Sequence, residues 1–486
     1  MKSILICIVV LIASIACAQT KKSEASNRTS VSITVYNSNL SLIREERTMT
    51  LEKGLGTVVV PDIPSTIDGT SLHFMSLTDP SGVKVLEQNY QYDLVNQSKL
   101  LDRYIGKEVE FVRSDEATKK EYTVKGKLLA GGSMWGGGGM IAEIDGKIEM
   151  NPAGRLVLPS LPEGLILRPQ LEWLISSDQG GEHKTEISYL ASGMSWSADY
   201  VAVIDSTNTK LDLTGWVTLT NSSGTSFHDA GLKLVAGDVN VVRPQFNRMA
   251  KDMALQAGVV NESQFTQTDL FEYKLYSLQR RTDLDNDETK QVELVSGHDV
   301  KAQKVLVYDG VGDQWRGWYG NFNYASKNTF GQTSNPKVGA YIIFRNNEKS
   351  GLGLPLPKGR IRVYQRDADK KEQFIGEDQI DHTPKDEEIK LYLGNAFDVV
   401  GERAQVNFQS FNDGKRIEET VRIKVRNHKT EPVEVQIYEH PWRGSQWELI
   451  QGAEGWTKID QTTIKYSAKL AKDEEKVVTY TIRYTY

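Results

Sequence analysis

The segment Gly193-Met194-Ser195-Trp196-Ser197 is the part of the chain closest to a nucleophile motif. Hydrolases present a catalytic serine in Gly-x-Ser-x-Gly, at a sharp turn between a strand and a helix. Here the fifth position holds Ser197, and the residues that follow alternate like a strand. We therefore interpret the segment as a turn in which Trp196 anchors a strand edge, and we predict no catalytic residue.

A glycine cluster at 131–139 has a composition that could hold a phosphate. A phosphate-binding loop ends in Gly-Lys-Ser/Thr or spaces its glycines before a helix, so that backbone N–H groups point at the anion. No Lys-Ser/Thr follows this cluster, and the next residues have strand character. The pattern favours a hairpin loop that carries an exposed Trp135.

Metal ligands are scarce in this sequence. The chain has seven histidines without His-Glu-x-x-His or His-x-His spacing, and its only cysteines are Cys7 and Cys17. Asp283–Asp287 resembles the start of a calcium loop, but the sixth and twelfth positions hold Glu288 and Leu294 instead of Gly and Glu. We interpret His428 and His440 as surface-loop residues, and we predict no metal and no cofactor.

Binding chemistry is best represented in DQWRGWYGNFNY, residues 313–324. Its aromatic residues Trp315, Trp318, Tyr319, Phe322 and Tyr324 are mixed with Gly and Asn, a composition typical of recognition loops. An ordinary loop folded over a sheet edge is the alternative. The 64 acidic residues also leave open a carboxylate pair for glycoside hydrolysis, whose spacing a sequence does not supply.

The elements that must position these residues are strands. Apolar residues alternate in runs such as 31–36 and 200–205, and Asn-Ser-Ser-Gly at 221–224 has turn chemistry. Only 91–110 has helical spacing, with Asn96 or Ser98 as its N-cap and Gly106 at its end. The fold class is mainly β, a multi-domain antiparallel β-sandwich or β-barrel architecture with a few short helices.

The N-terminal sequence indicates the compartment of the protein, and the net charge indicates which kinds of partner it binds. Lys2 precedes an apolar run from Ile4 to Ile15, and Ala16-x-Ala18 fits cleavage of a signal peptide before Gln19; lipidation at Cys17 is the alternative. The net charge of −6 is spread along the chain, which argues against nucleic acid as a partner. We expect an extracytoplasmic protein, in the periplasm or at the cell surface, with membrane contact only through an N-terminal lipid.

Composition shifts divide the chain into six segments. They are a signal peptide at 1–18, a flexible tether at 19–30, an N-terminal β-domain at 31–90, a short helix with a small barrel-like β-domain at 91–180, a central β-domain at 181–390 with an inserted loop or helix at 241–302, and an immunoglobulin-like sandwich at 391–486.

Several long blocks resemble a known family. SYLASGMSWSADYVAVID, LDLTGWVTLTNSSGTSFHDAGLKLVAGDVN, 271–296 and LPLPKGRIRVYQRD are similar to the C-terminal domain of unknown function of bacterial mucoidy-inhibitor-A-like proteins, and 31–75 resembles the N-terminal β-domain of that family. Residues 76–180 have a strand-rich insert where many members have a coiled coil. The resemblance implies a β-rich extracytoplasmic protein and transfers no catalytic residue.

These observations favour a non-enzymatic, envelope-associated binding or scaffold protein whose partner is an envelope protein or a glycan. A hydrolase of envelope polysaccharide is one alternative, because β-sandwiches can carry a carboxylate pair. An assembly subunit that uses strand addition at a sheet edge is the other.

Overall fold

The computed structural model describes residues 22–24, 28–115, 118–131, 139–162, 164–237, 239–240, 264–319, 334–412 and 414–486. The signal segment with Cys17, most of the glycine cluster, Phe322 and Tyr324 lie outside these ranges, as do residues 247–260, for which the sequence shows weak helical amphipathicity. Among the described residues, no helix has the length and apolarity needed to cross a membrane.

The strands of the first half are β1 (Lys22–Glu24), β2 (Ser30–Tyr36), β3 (Leu40–Leu51), β4 (Gly54–Pro61), β5 (Ile67–Ser76), β6 (Val83–Gln91), β7 (Glu108–Ser114), β8 (Glu121–Gly131), β9 (Met140–Ile144), β10 (Lys147–Met150), β11 (Arg155–Val157), β12 (Gln170–Ser177), β13 (Gly181–Ala191), β14 (Met194–Ile204), β15 (Lys210–Asn221) and β16 (Phe227–Ala236). Helix α1 (Gln97–Tyr104) lies between β6 and β7.

The strands of the second half are β17 (Phe265–Leu270), β18 (Tyr273–Leu278), β19 (Thr282–Leu284), β20 (Glu288–Asp309), β21 (Lys337–Arg345), β22 (Gly359–Arg366), β23 (Glu372–Ile380), β24 (Glu388–Phe411), β25 (Arg416–Asn427), β26 (Val433–Glu439), β27 (Trp447–Gln451), β28 (Trp456–Asp460), β29 (Thr463–Leu470) and β30 (Glu475–Thr485). Helix α2 (Trp315–Trp318) follows the 3-10 helix Gly312–Gln314, and a second 3-10 helix is Glu348–Ser350.

The mainly β fold class is confirmed, with 65 % of the described residues in strands and 4 % in helices. The local cause is the alternation of apolar and polar side chains, which places every second residue on the same face of a strand. In β2, for example, Val31, Ile33 and Val35 are buried while the residues between them are half-buried. Sheets that bury one face follow from this pattern.

The chain forms two compact units, and the first consists of the described residues of Met1–Ser195, Thr220–Lys233 and Arg281–Glu288. One of its sheets has the order β1-β4-β12-β6, and β2, β3, β13 and β5 are neighbours in another. β1 lies in the range expected to be a flexible tether, but it pairs in parallel with β4, so this part of the range is a strand.

The range 91–180, predicted as a short helix with a small barrel-like β-domain, contains α1 and a five-stranded sheet, while β12 in the same range belongs to the sheet of β4 and β6. Five antiparallel strands have the order β10-β9-β8-β7-β11, and α1 covers them through the buried Leu101 and Tyr104. Asn96 is the N-cap, because its side-chain oxygen accepts the backbone N–H of Lys99 at 2.9 Å. Of the two cap candidates, the structure therefore selects Asn96.

The second unit consists of the described residues of Trp196–Leu219, Leu234–Arg280 and Thr289–Tyr486. Its strands include the neighbours β20-β21-β24-β25-β30-β27, while β26 joins β20 in parallel and β29 in antiparallel fashion. One apolar core is formed by residues of β20, β21, β24, β25, β26, β29 and β30. Successive side chains of a strand point to opposite faces of the sheet. The residues of β26, β20, β21 and β24 that do not point into this core therefore lie on the other face.

Candidate functional site

The aromatic segment predicted from the sequence follows strand β20 in the second unit. We call residues Gly312–Tyr319 the Trp315 segment; it contains the 3-10 helix and α2. The side chains of Trp315 and Tyr319 are described, Trp315 half-buried and Tyr319 37 % exposed. The backbone of Trp318 belongs to α2, and its side chain is outside the described set, as are Phe322 and Tyr324.

Trp315 lies flat on the ring of His440, which follows β26. The ring centroids are 4.6 Å apart and the planes differ by 13°. Tyr319 approaches Trp315 edge-on, at 6.3 Å and 90°. The side chain of His440 is only 9 % exposed, so its interpretation as a surface-loop residue is wrong, whereas His428 is exposed as expected.

Both ring nitrogens of His440 face hydrogen-bond acceptors. Nδ1 is 3.2 Å from the carbonyl oxygen of Thr462, and Nε2 is 3.2 Å from Oδ2 of Asp309. Burial by itself lowers the pKa of His440, but the hydrogen bond and charge of Asp309 and the Thr462 carbonyl outweigh it and raise the pKa. A carbonyl and an ionised carboxylate only accept, so the imidazolium is the form that satisfies both contacts.

Asp309 connects this histidine to the start of the Trp315 segment. Its Oδ1 accepts the backbone N–H groups of Val311 at 3.1 Å and Gly312 at 2.8 Å. Burial by itself raises the pKa of Asp309, but the hydrogen bond and charge of His440 and the two backbone N–H groups outweigh it and lower the pKa. One carboxylate therefore holds both the imidazole ring and the turn into the aromatic segment.

Beside this segment, one face of the sheet carries a group of tyrosines around one lysine. We call Tyr341, Lys390, Tyr392 and Tyr438 the tyrosine face. Tyr341 of β21 is the cross-strand partner of Tyr392 of β24, and Tyr438 of β26 is the partner of Asp309 of β20. Directly paired residues point to the same side of a sheet, so the face adjoins the Asp309–His440 pair.

Lys390 places its ammonium group against two of the rings. Its Nζ is 4.4 Å from the ring centroid of Tyr341 and 5.6 Å from that of Tyr438, which is cation–π geometry. The Tyr341 and Tyr392 centroids are 5.3 Å apart. Burial lowers the pKa of Lys390, opposed by the charge of Glu388. Tyr392 remains 40 % exposed, so a ligand can reach the edge of the group.

A glycine makes room for these rings. A Cβ atom on Gly339 would lie 2.8 Å from Cε2 of Tyr341 and 3.4 Å from Cε2 of Tyr392. The first distance is shorter than a van der Waals contact, so any side chain at 339 would displace the Tyr341 ring. The position of the tyrosine pair therefore depends on this glycine.

On the core side of the sheet, a buried ion pair joins the interior of β24 to the end of β26. Nε of Arg403 is 2.8 and 3.0 Å from the two carboxylate oxygens of Glu439, and Tyr480 donates to the same carboxylate. In a second pair, Arg443 is 3.0 Å from Glu419. The sequence offers a weak signal for this network, because Glu419 and Glu439 occupy inward positions of strands whose other inward residues are mostly apolar.

The other residues considered for chemistry lie elsewhere. Gly193–Ser197 forms the turn into β14 and the start of that strand, and Trp196 is 4 % exposed, as predicted for a strand anchor. Asp283 accepts the backbone N–H of Asp229, and Asp285–Glu288 forms a turn. Within the part of the chain that the structure describes, no group of three His, Cys, Asp or Glu could hold a metal ion.

The carboxyl groups with a shifted pKa among the described residues all shift in the same direction. Several groups have a pKa below their ordinary value: Asp93, Asp205, Asp269, Asp309, Asp367, Glu419 and Asp460. A glycosidase general acid needs the opposite shift, because it must hold a proton near neutral pH. These groups suit ion pairing and hydrogen bonding instead.

The face and the segment together present groups that can bind a ligand. Aromatic rings offer flat apolar surfaces, phenol hydroxyls offer hydrogen bonds, and Lys390 offers a cation. Tyr392 already donates its hydroxyl to Asn395 Oδ1 at 3.1 Å, and Tyr438 donates to Gln436 Oε1 at 3.1 Å. Sequence reasoning missed this face because its members are ordinary strand residues far apart in the chain.

Comparison with protein families gives one match, and the comparison with curated proteins finds no matching sequence. The matching model covers residues 185–486, which include the whole tyrosine face, the Trp315 segment and His440. That range is more than half of the 486 residues. The chain therefore belongs to the family described as Domain of unknown function (DUF4139).

Proposed function

We propose that this protein is a non-enzymatic, envelope-associated binding protein that holds a glycan on the tyrosine face. The observation that carries the proposal is the packing of Tyr341, Tyr392 and Tyr438 around Lys390 on one face of the sheet, with Tyr392 40 % exposed. Sugar rings present C–H groups on one side and hydroxyls at the edge. Aromatic faces and phenol hydroxyls match both features.

The burial of the face supports a polar ligand over an apolar protein partner. Burial raises the pKa of Tyr341 and of Tyr438, so both phenols are neutral, and the oxygen of Tyr438 can accept a hydrogen bond while its hydroxyl donates to Gln436. Lys390 and Asp309 add charges of both signs beside the rings. A ligand rich in hydroxyl groups can hydrogen bond to the phenol oxygens and to the ammonium group of Lys390, whereas an apolar surface offers these groups no hydrogen bond.

The extracytoplasmic location is part of the proposal and rests on the N-terminal sequence. The apolar run Ile4–Ile15 followed by Ala16-x-Ala18 supports export, with cleavage before Gln19 or lipidation at Cys17. Mass spectrometry of the mature N-terminus separates the two outcomes. An uncleaved Met1 in protein isolated from the native cell would refute both. Within the matched family, the blocks quoted above support a mucoidy-inhibitor-A-like protein.

The test of glycan binding uses oligosaccharides released by partial acid hydrolysis of purified bacterial envelopes. Isothermal titration calorimetry compares the wild type with Tyr392→Ala, for which we expect a loss of about tenfold in affinity, the effect of ~1.4 kcal/mol. Tyr122→Ala is the matched control, because Tyr122 is a 50 % exposed strand tyrosine in the other unit. Equal affinities for the two variants would refute the assignment of the face.

The same mixtures decide between binding and hydrolysis. If new reducing ends accumulate in the presence of the protein, the hydrolase alternative replaces the binding proposal. If the fractions neither bind nor react, an envelope protein becomes the expected partner. Co-purification from the envelope with wild-type protein and Tyr392→Ala then tests whether that partner uses the same face.

A further inference from the structure

We infer that the protonated ring of His440 positions the Trp315 segment beside the tyrosine face, so that ligand binding there depends on a proton. The part of the inference that concerns the ligand rests on the proposed function. The part that concerns the ring and the segment stands on geometry alone, and the experiment below measures the two separately.

The first step is the acceptor environment of the ring. His440 donates to the Thr462 carbonyl from Nδ1 and to Asp309 from Nε2, both at 3.2 Å. A neutral ring has one N–H and one lone pair, so it keeps one of these bonds and turns the lone pair toward the other acceptor. Loss of the proton therefore breaks a contact and adds repulsion at the same place.

The second step links the ring to the aromatic segment by two routes. Trp315 covers the ring at a centroid distance of 4.6 Å, and an imidazolium attracts the indole face more strongly than a neutral imidazole does. Asp309 binds the ring through Oδ2, and its Oδ1 accepts the backbone N–H groups of Val311 and Gly312 at the start of the 3-10 helix. The stacking of Trp315 on His440 and the hydrogen bond between His440 and Asp309 thus both respond to the proton on the His440 ring.

The third step is the remaining charge around the ring. Glu439 precedes His440 and favours its charged form, although Arg403 and Tyr480 already bind that carboxylate. Asp460 lies in the turn before Thr462, and its own pKa is lowered in part by the charge of His440. On the segment, Arg316 lies over Trp315 and is 3.4 Å from Asp313. The balance around the ring is acidic, which favours the imidazolium.

The direction of the pH effect follows from these contacts. The pKa of His440 is raised in the folded protein, so its contribution is complete below the ordinary histidine value of about 6.5 and is lost as the pH rises through the folded value. Affinity for the ligand should therefore fall as the pH is raised above neutrality. A proton-dependent site of this kind releases its ligand in alkaline surroundings.

The experiment records the ring, the segment and the ligand in the full protein. Nitrogen-15 NMR of labelled histidine follows the charge of His440, and fluorine NMR of 5-fluorotryptophan follows Trp315, with Trp315→Phe used for assignment. Calorimetry with the envelope oligosaccharides follows binding from pH 5.5 to 8.5. The variants are His440→Gln and Asp309→Asn, and the control is His428→Gln, an exposed histidine at another turn.

We expect the Trp315 signal to titrate with the same midpoint as His440, above the ordinary value, and the affinity to fall by about tenfold across that range. His440→Gln should abolish the pH dependence, Asp309→Asn should move the midpoint downward, and His428→Gln should change neither. A neutral His440 at pH 6, or a Trp315 signal that ignores its titration, overturns the inference. Absence of oligosaccharide binding at every pH refutes the proposed function, while the two NMR signals still decide the positioning role.

Discussion

Nε of Arg403 lies 2.8 and 3.0 Å from the two carboxylate oxygens of Glu439, and both side chains are buried in the second unit. The two residues belong to β24 and β26, which do not pair with each other directly. Burial by itself lowers the pKa of Arg403, but the charge of Glu439 outweighs it and raises the pKa well above the ordinary value. Removing either partner would leave an unpaired charge in the interior.

Glu439→Gln should therefore destabilise the second unit by about 3–5 kcal/mol, the usual cost of breaking a buried ion pair. Urea unfolding followed by circular dichroism measures the change in midpoint. Glu108→Gln is the control, because Glu108 forms an exposed pair with Lys125 and its loss should leave the midpoint unchanged. A small effect of Glu439→Gln would mean that Arg403 finds another acceptor or reaches water.

The Asp309–His440 pair should have a coupling free energy with a maximum between two pH limits. The pKa of Asp309 is lowered, so its contribution is present above the ordinary value of about 3.8 and is lost as the pH falls through the folded value. The pKa of His440 is raised, so its contribution is lost as the pH rises through the folded value. Between these limits we expect about 2 kcal/mol, typical of a charged hydrogen bond.

A double-mutant cycle with Asp309→Asn, His440→Gln and the double variant measures this coupling from urea unfolding at several pH values. The coupling should be largest near pH 5 to 6 and smaller at pH 8.5. A coupling that stays constant over the whole range would show that the pair is held by packing and not by charge.

Gly339→Ala should weaken ligand binding more than it weakens the fold. The added Cβ would lie 2.8 Å from the Tyr341 ring. Because Tyr341 is only half-buried, its ring can turn away from the new methyl group. We expect the protein to fold and the affinity for envelope oligosaccharides to fall by about tenfold. Calorimetry and urea unfolding on the same sample separate the two effects.

Gly69→Ala is the matched control, because a Cβ there meets no atom within 4 Å and the residue also lies in a strand. If Gly339→Ala binds as tightly as Gly69→Ala, the Tyr341 and Tyr392 rings do not contact the ligand. The tyrosine face would then be a structural feature of the sheet.

Arg28 should stabilise the first unit through its ion pair with the buried Glu45, as Arg403 does in the second unit through Glu439. Its guanidinium binds Glu45, lies 3.0 Å from Asp62 and packs 4.8 Å above the Phe227 ring. Burial by itself lowers the pKa of Arg28, but the charge of Glu45, the largest opposing cause, helps to raise it. Arg28→Met should cost about 3 kcal/mol, because Glu45 is fully buried.

Arg44→Met serves as its control, because the Arg44 side chain lies next to Glu45 in the sequence and is 59 % exposed. Urea unfolding of the two variants should show a clear loss for Arg28→Met and little change for Arg44→Met. Equal losses would indicate that strand propensity in this region, and not the buried pair, determines the stability.

Local patterns in the sequence were sufficient for many strands and for α1, but the inserted loop or helix expected at 241–302 contains β17, β18, β19 and the start of β20 in its described part. The alternation at 31–36 and 200–205 appears as β2 and β14, and the helical spacing near Leu100 appears as α1 with the Asn96 cap. These features depend on neighbours within a few residues, which a linear sequence contains. The strand assignment of β1 was missed because three polar residues have no periodicity of their own and pair only through the edge of β4.

Of the candidate site, only the aromatic segment could be predicted from the sequence. Trp315 and Tyr319 are conspicuous because aromatic, Gly and Asn residues occur together at 313–324. Asp309, Tyr341, Lys390 and Tyr438 have no such local signal, since each is one outward residue in an alternating strand. His440 was assigned to the surface because its short turn gives no indication that Trp315 covers it.

The sequence by itself determined that this chain is built from strands, because side-chain alternation is a property of consecutive residues. It also marked residues 313–324 as a candidate for recognition. Only the tertiary structure decided that β20, β21, β24 and β26 lie side by side and that their outward residues form one face. The physical reason is that strand pairing joins backbone groups more than a hundred residues apart, and its register is set by the whole core.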